Sequence, residues 1–193
     1  MTTSSAPNNH LTQNSLSEKD QYAVFGNPIS HSKSPLIHTS FAQQTQQSLS
    51  YKAILLPEDG FEKGAAEFFA QGGKGANVTV PFKLNALVFA QQLTPIAKRA
   101  GAVNTLAVQE DGSILGHNTD GEGLVTDLTA NLGFNLAGAK VLLVGAGGAA
   151  RGVVEPLLAA GISQLVIANR TPARAENLIT IFQRLIASHE STR

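Results

Sequence analysis

The stretch KVLLVGAGGAAR, residues 140–151, decides how the chain is read. Val141 to Val144 is a short apolar run of the kind a strand buried on both faces requires. Gly145, Gly147 and the pair Ala149-Ala150 follow at once, and an apolar helical pattern begins at Val153. This is G-x-G-x-x-A between a strand and a helix, the setting in which the pattern binds a dinucleotide. Gly145 permits the tight turn, Gly147 removes a Cβ that would hold a pyrophosphate off the backbone, and the small Ala150 lets the helix lie close to the strand. Gly145, Ala146, Gly147, Gly148 and Ala149 would then face the phosphates, where a helix N-terminus offers free N–H groups and partial positive charge. Without the flanking strand and helix the same glycines would be a plain turn.

A second strand, Gln164 to Ala168, ends in Asn169-Arg170-Thr171. About 20 residues past the glycines, an NAD site usually carries Asp or Glu for the ribose hydroxyl. None stands here. Arg170 and Arg174 supply positive charge, and Asn169 and Thr171 supply hydrogen bonds, which suits a 2′-phosphate and favours NADP over NAD. Read alone, the two arginines would be a solvated pair at a helix start.

The whole sequence of 193 residues has room for one domain or two small ones, and 42% hydrophobic residues are ample for a core. Fourteen basic residues balance fourteen acidic ones, so nothing points to nucleic acid or an anionic membrane as a partner. No apolar run approaches the length of a membrane span, and the N-terminus lacks a secretory apolar region. With no cysteine there is no disulfide, thiol nucleophile or thiolate metal site, and the five histidines lack paired ligand spacing, so no metal is expected. These features fit a cytoplasmic enzyme.

Residues 1–20 are rich in Ser, Thr, Asn and Gln and are expected to form a disordered tail. Tyr22 to Phe25 reads as a first strand, closed by Gly26. The loop that follows leads through Ser32 and Ser34, the latter read as an N-cap, into Pro35 at the first helical position. Two hydroxyls beside a helix start form what a small carboxylate requires, although Ser34 could merely cap. Tyr51 to Leu56 and Ala76 to Val80 are the next strands. Pro81-Phe82-Lys83 breaks into a helix, and ligands of open α/β sheets sit beyond strand carboxyl ends, where Thr79 and Lys83 fall. Val103 to Val108 and Ile114 to His117 read as a hairpin, flanked by Asn104 and by Asn118-Thr119-Asp120. A helix, Glu122 to Leu132, leads to the nucleotide-binding stretch. Pro156 falls inside the next helix and predicts a kink or an exposed side. The organisation expected is therefore α/β: a substrate-binding domain over 21–121 with a mostly parallel sheet, then the first half of a Rossmann-type domain over 122–193.

Four motifs stand in one order: GNPISHSKSP at 26–35, NVTVPFK at 77–83, GAVNT at 101–105 and GHNTDG at 116–121. With GAGGA at 145–149 and NRT at 169–171, the sequence closely resembles the shikimate dehydrogenase family from Tyr22 to about Leu185. The resemblance implies NADPH-dependent reduction of 3-dehydroshikimate to shikimate, on the route to chorismate and aromatic amino acids. It implies that Ser32 and Ser34 hold the substrate carboxylate, that Thr79, Asn104 and Asp120 hold ring hydroxyls, and that Lys83 is the acid-base group oriented by Asp120. A homodimer is compatible with it.

Members of the family continue beyond the point where this sequence stops, adding strands to the nucleotide-binding sheet and a helix that packs back on the substrate domain. Part of the sheet edge and of its apolar faces is therefore expected to be uncovered, and turnover by the 193-residue polypeptide to be weak or absent. Two other readings stay open at this point: a quinate/shikimate dehydrogenase of broader choice, and a catalytically silent module that retains shikimate or nucleotide affinity.

Overall fold

A computed structural model describes residues 19–190. The polar tail expected over residues 1–20 lies outside the described residues except for its last two, and Asp20 already opens the first strand. The chain forms α/β layers around two sheets. In the first, β1 (Asp20–Gly26) lies between β2 (Leu49–Leu55) and β3 (Gly73–Val78), parallel to both. Beyond β3 come β5 (Thr105–Val108), β6 (Ile114–His117) and the short β4 (Gln92–Leu93). The β3–β5 and β5–β6 pairs are antiparallel, as the expected hairpin requires, and β4 pairs parallel with β6. The two-residue β4 carries too little apolar alternation to be visible in the sequence.

The helices α1 (Ser34–Gln44), α2 (Phe61–Ala70), α3 (Lys83–Phe89) and α4 (Pro95–Ala100) connect these strands. Their common core is aromatic. Phe25 of β1 meets Phe61 and Phe68 of α2 edge to face, and Phe61 continues to Phe82, at centroid separations of 5.3–6.0 Å. Phe25, Phe61 and Phe82 are fully buried, and edge-to-face pairs add to the large area that each ring removes from water. Phe82 immediately precedes Lys83, so the core itself fixes where α3 starts.

The second sheet pairs β7 (Lys140–Val144) and β8 (Gln164–Ala168) in parallel through α6 (Gly148–Ala159), and α7 (Pro172–Glu190) follows. One face of this sheet packs on α6 and α7 through Leu143, Leu165 and Ile167 around Val154, Leu178 and Phe182. On the other face Leu142, Val144 and Val166 are exposed, as expected of a half-covered sheet. No helix among the described residues is long and apolar enough to cross a membrane.

The helix expected over Glu122–Leu132 is two pieces. An α-helix, α5 (Asp120–Thr126), runs into one turn of π-helix, Asp127–Asn131. Pro156 lies half-buried at the contact between α5 and α6 rather than on an exposed side. As residue i+4 to Gly152, it denies the Gly152 carbonyl its helical donor. That carbonyl faces Gly121 of α5, where a Cβ would stand 2.3 Å from it. Glycine at 121 thus lets the two helices close on each other.

Candidate active site

The cleft begins at the carboxyl ends of β1 and β3. Gly26 closes β1 because no side chain fits: a Cβ would lie 2.6 Å from Thr79 Cγ2 and 2.7 Å from Ile29 Cδ1. The Asn27 side chain donates to the Leu56 carbonyl (2.9 Å) and its backbone N–H to that of Val80 (2.9 Å), which pins the loop across two strand ends. The Ser32 hydroxyl accepts from the Ser34 N–H at 3.3 Å. The helix starts at Ser34 itself, with Lys33 at the cap position and no side-chain cap, so the Ser34 hydroxyl is not consumed as the expected N-cap. Thr79 follows β3, its N–H bonded to the Phe25 carbonyl (2.9 Å), and a tight turn through Phe82 delivers Lys83 to the first position of α3.

The opposite wall comes from the hairpin. Asn104 is 9% exposed and its backbone ties β3 to β6, accepting from Val78 N–H at 2.7 Å and donating to the His117 carbonyl at 3.0 Å. Its side-chain NH2 donates to Asp120 Oδ1 (2.8 Å) and Thr119 Oγ1 (2.9 Å). The buried Asn118 donates to the Ala102 carbonyl and accepts the Asp120 N–H, both at 3.0 Å, which fixes the start of α5. Lys83 Nζ then meets Asp120 Oδ2 at 2.5 Å, the two side chains being 12% and 22% exposed. Such a pair, flanked by hydrogen-bond donors, is strong in a partly desolvated wall, and the ammonium keeps further N–H donors for a ligand.

Ser32, Ser34, Thr79, Lys83, Asn104 and Asp120 therefore line one cavity of about 400 Å³, although they come from four separate stretches of the chain. That volume suits a small polar ring.

The glycine-rich turn stands against this cavity. Gly145 has φ +112°, a conformation that glycine favours, and its N–H donates to the Ala168 carbonyl at 2.8 Å. That bond sets the turn beside Asn169-Arg170-Thr171 at the carboxyl end of β8. Ala146 and Ala150 pack into the α6–α7 core. Gly147 is extended before α6, and a Cβ on Gly145 or Gly147 would meet nothing within 4 Å, so the space over the turn is open for phosphate oxygens. Gly148 opens α6 so close to the cleft that a Cβ there would lie 3.1 Å from Lys83 Cβ. Ala149, Arg170, Thr171 and Arg174 are exposed, and the Asn169 side chain donates to the Thr171 carbonyl at 2.8 Å. The turn and the NRT stretch thus share one end of the second sheet, while the serine, lysine and aspartate residues belong to the cavity.

Sequence reasoning missed a second tier. His38 and Asn77 also line the cavity, Tyr51 and Thr105 bond to Asn77, and the His38 and Tyr51 rings stack at 4.3 Å and 4°. Asn77 belongs to the NVTVPFK motif, and an Asn within a strand is the available signal, since the residue is disfavoured there. Burial holds the Tyr51 hydroxyl up at about 12, offset in part by hydrogen bonding with Ser34 and Asn77. Burial lowers His38, opposed by hydrogen bonding with Asn77. With two tyrosines and no tryptophan in the sequence, absorbance resolves the former directly. A phenolate transition near pH 12 is expected and should vanish in Tyr51→Phe; its persistence there would assign it elsewhere. The sign of the stability effect follows from proton binding. Between the unfolded value of 10.0 and about 12 the folded state retains a proton that the unfolded chain has lost, so Tyr51's contribution is intact below pH 10.0 and disappears towards 12. His38 acts at the other end, its contribution present above 6.5 and lost on acidification.

The family profile for the shikimate dehydrogenase substrate binding domain matches residues 24–106, and that for shikimate / quinate 5-dehydrogenase matches residues 127–190. The chain belongs to the shikimate dehydrogenase family. A curated shikimate dehydrogenase (NADP(+)) of Vibrio cholerae is 62% identical over 162 residues, which cover 84% of this chain and 58% of that protein. The chain thus spans less than two thirds of the length of that relative. Among solved structures, shikimate dehydrogenase from Aquifex aeolicus aligns with TM-score 0.80 at 32% identity, over 86% of this chain and 61% of that one. Shikimate 5-dehydrogenase from Thermus thermophilus, in complex with NADP(H) and shikimate, aligns with TM-score 0.77 at 36% identity, over 85% and 61%. The α/β organisation expected from the sequence, with a mostly parallel sheet followed by a Rossmann-type part, is the fold that aligns with these shikimate dehydrogenases.

Proposed function

We propose that this chain carries the substrate cleft and dinucleotide turn of an NADP-dependent shikimate dehydrogenase, interconverting 3-dehydroshikimate and shikimate. The observation that carries the reading is the 2.5 Å Lys83–Asp120 pair in a cavity that also presents the hydroxyls of Ser32 and Ser34. The two serines donate hydrogen bonds to the ring carboxylate. Thr79, Asn104 and Asp120 hold the ring hydroxyls and so fix which ring carbon faces the glycine turn. NADPH, when bound, supplies the hydride for that carbon. Lys83 donates to the carbonyl oxygen as negative charge develops there and transfers its proton; in the reverse direction the amine takes the hydroxyl proton. Asp120 orients the ammonium.

Gly145, Ala146, Gly147, Gly148 and Ala149 receive the pyrophosphate, while Asn169, Arg170, Thr171 and Arg174 receive the 2′-phosphate. The division into a substrate domain to residue 121 and a nucleotide-binding part from residue 122 is supported by two separate sheets and two family profiles. The reading places a small-molecule substrate in the cytoplasm; the balanced charge offers no attraction to nucleic acid or an anionic membrane, and light scattering tests for a homodimer.

Calorimetric titration with shikimate and with NADP separately, beside the absorbance of reduced nicotinamide, tests the reading. Saturable binding of both is expected, and binding of neither would sink it. Removing both Arg170 and Arg174 by alanine substitution should weaken NADP about tenfold and leave NAD nearly unchanged, as loss of charge-assisted phosphate contacts requires. Equal losses for the two nucleotides would remove these arginines from the 2′-phosphate.

A further inference from the structure

We propose that Tyr51 is a positioning residue for the acid-base pair, acting through a one-way relay of hydrogen bonds along the floor of the cleft. The Tyr51 hydroxyl donates to Asn77 Oδ1 at 2.6 Å. With its carbonyl engaged, the Asn77 amide turns its NH2 toward Thr105 Oγ1, at 3.4 Å, and the Asn104 carbonyl, at 3.5 Å. The Thr105 hydroxyl donates to Asn104 Oδ1 at 2.8 Å, and Asn104 Nδ2 donates to Asp120 Oδ1 at 2.8 Å. Lys83 meets the other oxygen of that carboxylate. Every donor in the series points the same way, and the series ends on the one formal negative charge. Hydrogen bonds aligned head to tail polarise one another, so the far end feels the near one.

Tyr51 is the only member whose hydroxyl proton enters the series from outside the hairpin and the 77–83 turn. An amide can present either its oxygen or its NH2 with little change in shape. What makes Asn77 present NH2 toward Thr105 is the phenolic proton on its oxygen. The tyrosine ring is held in turn by the parallel stack of His38 from α1, the helix that also carries Ser34. The carboxylate end and the ammonium end of the cleft are thereby set by one network. Asn77 and His38 line the same cavity as Ser34 and Lys83, so a ligand there touches the relay.

The inference rests on reading the cavity as a shikimate site, and one experiment separates the two. Side-chain amide resonances of Asn77 and Asn104 are recorded by NMR in the 193-residue chain and its variants, and shikimate is titrated calorimetrically. Tyr51→Phe keeps the ring and its stack and removes only the hydroxyl. It should shift both amide signals and weaken shikimate about fivefold, the factor one hydrogen bond typically commands, with backbone spectrum and melting point nearly unchanged. Thr105→Val interrupts the series at its longest link and should shift both signals whatever Tyr51→Phe does to folding. Tyr22→Phe, a hydroxyl removed elsewhere in the sheet, should move neither. An Asn104 signal unmoved in folded Tyr51→Phe, or unmoved in Thr105→Val, overturns the relay. If both variants move Asn104 while the unsubstituted chain binds no shikimate, the relay stands and the substrate reading fails.

Discussion

Lys83→Ala is expected to lower the turnover, weak as it is expected to be in the 193-residue chain, about 100- to 10,000-fold relative to the unsubstituted protein, the range that a positioned proton donor contributes. The fold should survive, because Lys83 is the first residue of α3 and what anchors that helix start is the buried Phe82 beside it. Its backbone carbonyl, which accepts the Val103 N–H at 3.0 Å, is untouched by the substitution. Asp120 loses its cation and keeps Asn104 Nδ2 at 2.8 Å as a partner, so the carboxylate is not stranded. Circular dichroism and melting should therefore look nearly normal while the rate collapses. Asp120→Asn is the matched control. It preserves shape and removes charge, and should reduce turnover less if orientation of the ammonium is the main role of the carboxylate. A Lys83→Ala protein with an unchanged rate would remove the lysine from the chemistry.

Gly121→Val should be the most damaging single change to stability. Its Cβ would stand 2.3 Å from the Gly152 carbonyl oxygen and 2.4 Å from Pro156 Cγ, both parts of a stiff helix rather than the far end of a flexible chain. Overpacking of this kind costs about 3 kcal/mol. In a chain of this size that lowers the melting point by roughly 6–12 °C. The effect should reach the cleft as well, since α5 begins at Asp120 and Gly152 faces Asn118 and Asp120 directly. Weaker shikimate binding is therefore expected in parallel with lower stability. Equal melting points for the variant and the unsubstituted protein would mean that α5 and α6 do not meet as described.

Those two residues also show how far the sequence alone reached. The glycine-rich turn was legible because its function is written in consecutive residues: an apolar strand, Gly145 and Gly147, then a helix. Lys83 and Asp120 were legible as candidates only through the order of several motifs, since a lysine at a helix start and an aspartate in a turn are ordinary surface features. Their meeting at 2.5 Å depends on β3 and β6 being joined through β5, which no local pattern states. Gly121 and Pro156 were read separately, one at a boundary and the other as a helix fault. Their partnership exists only where α5 and α6 cross. Tyr51 reads in the sequence as an ordinary strand residue, because the amide it meets lies 26 residues away. Similarly, the Arg99–Glu155 pair at 2.6 Å joins α4 to α6, and long-range pairing of charges leaves no trace in spacing. Local chemistry was readable, and tertiary closure was not.

The central claim is that the cleft seats a carboxylate at Ser32 and Ser34 and a reacting oxygen at Lys83, facing the turn at Gly145–Gly148. A crystal structure of the chain soaked with shikimate tests it most directly. Density is expected with the ring carboxylate against the two serine hydroxyls and a ring hydroxyl within hydrogen-bond reach of Lys83 Nζ. Shikimate bound elsewhere, or bound in the cleft with Lys83 directed away from it, would contradict the account.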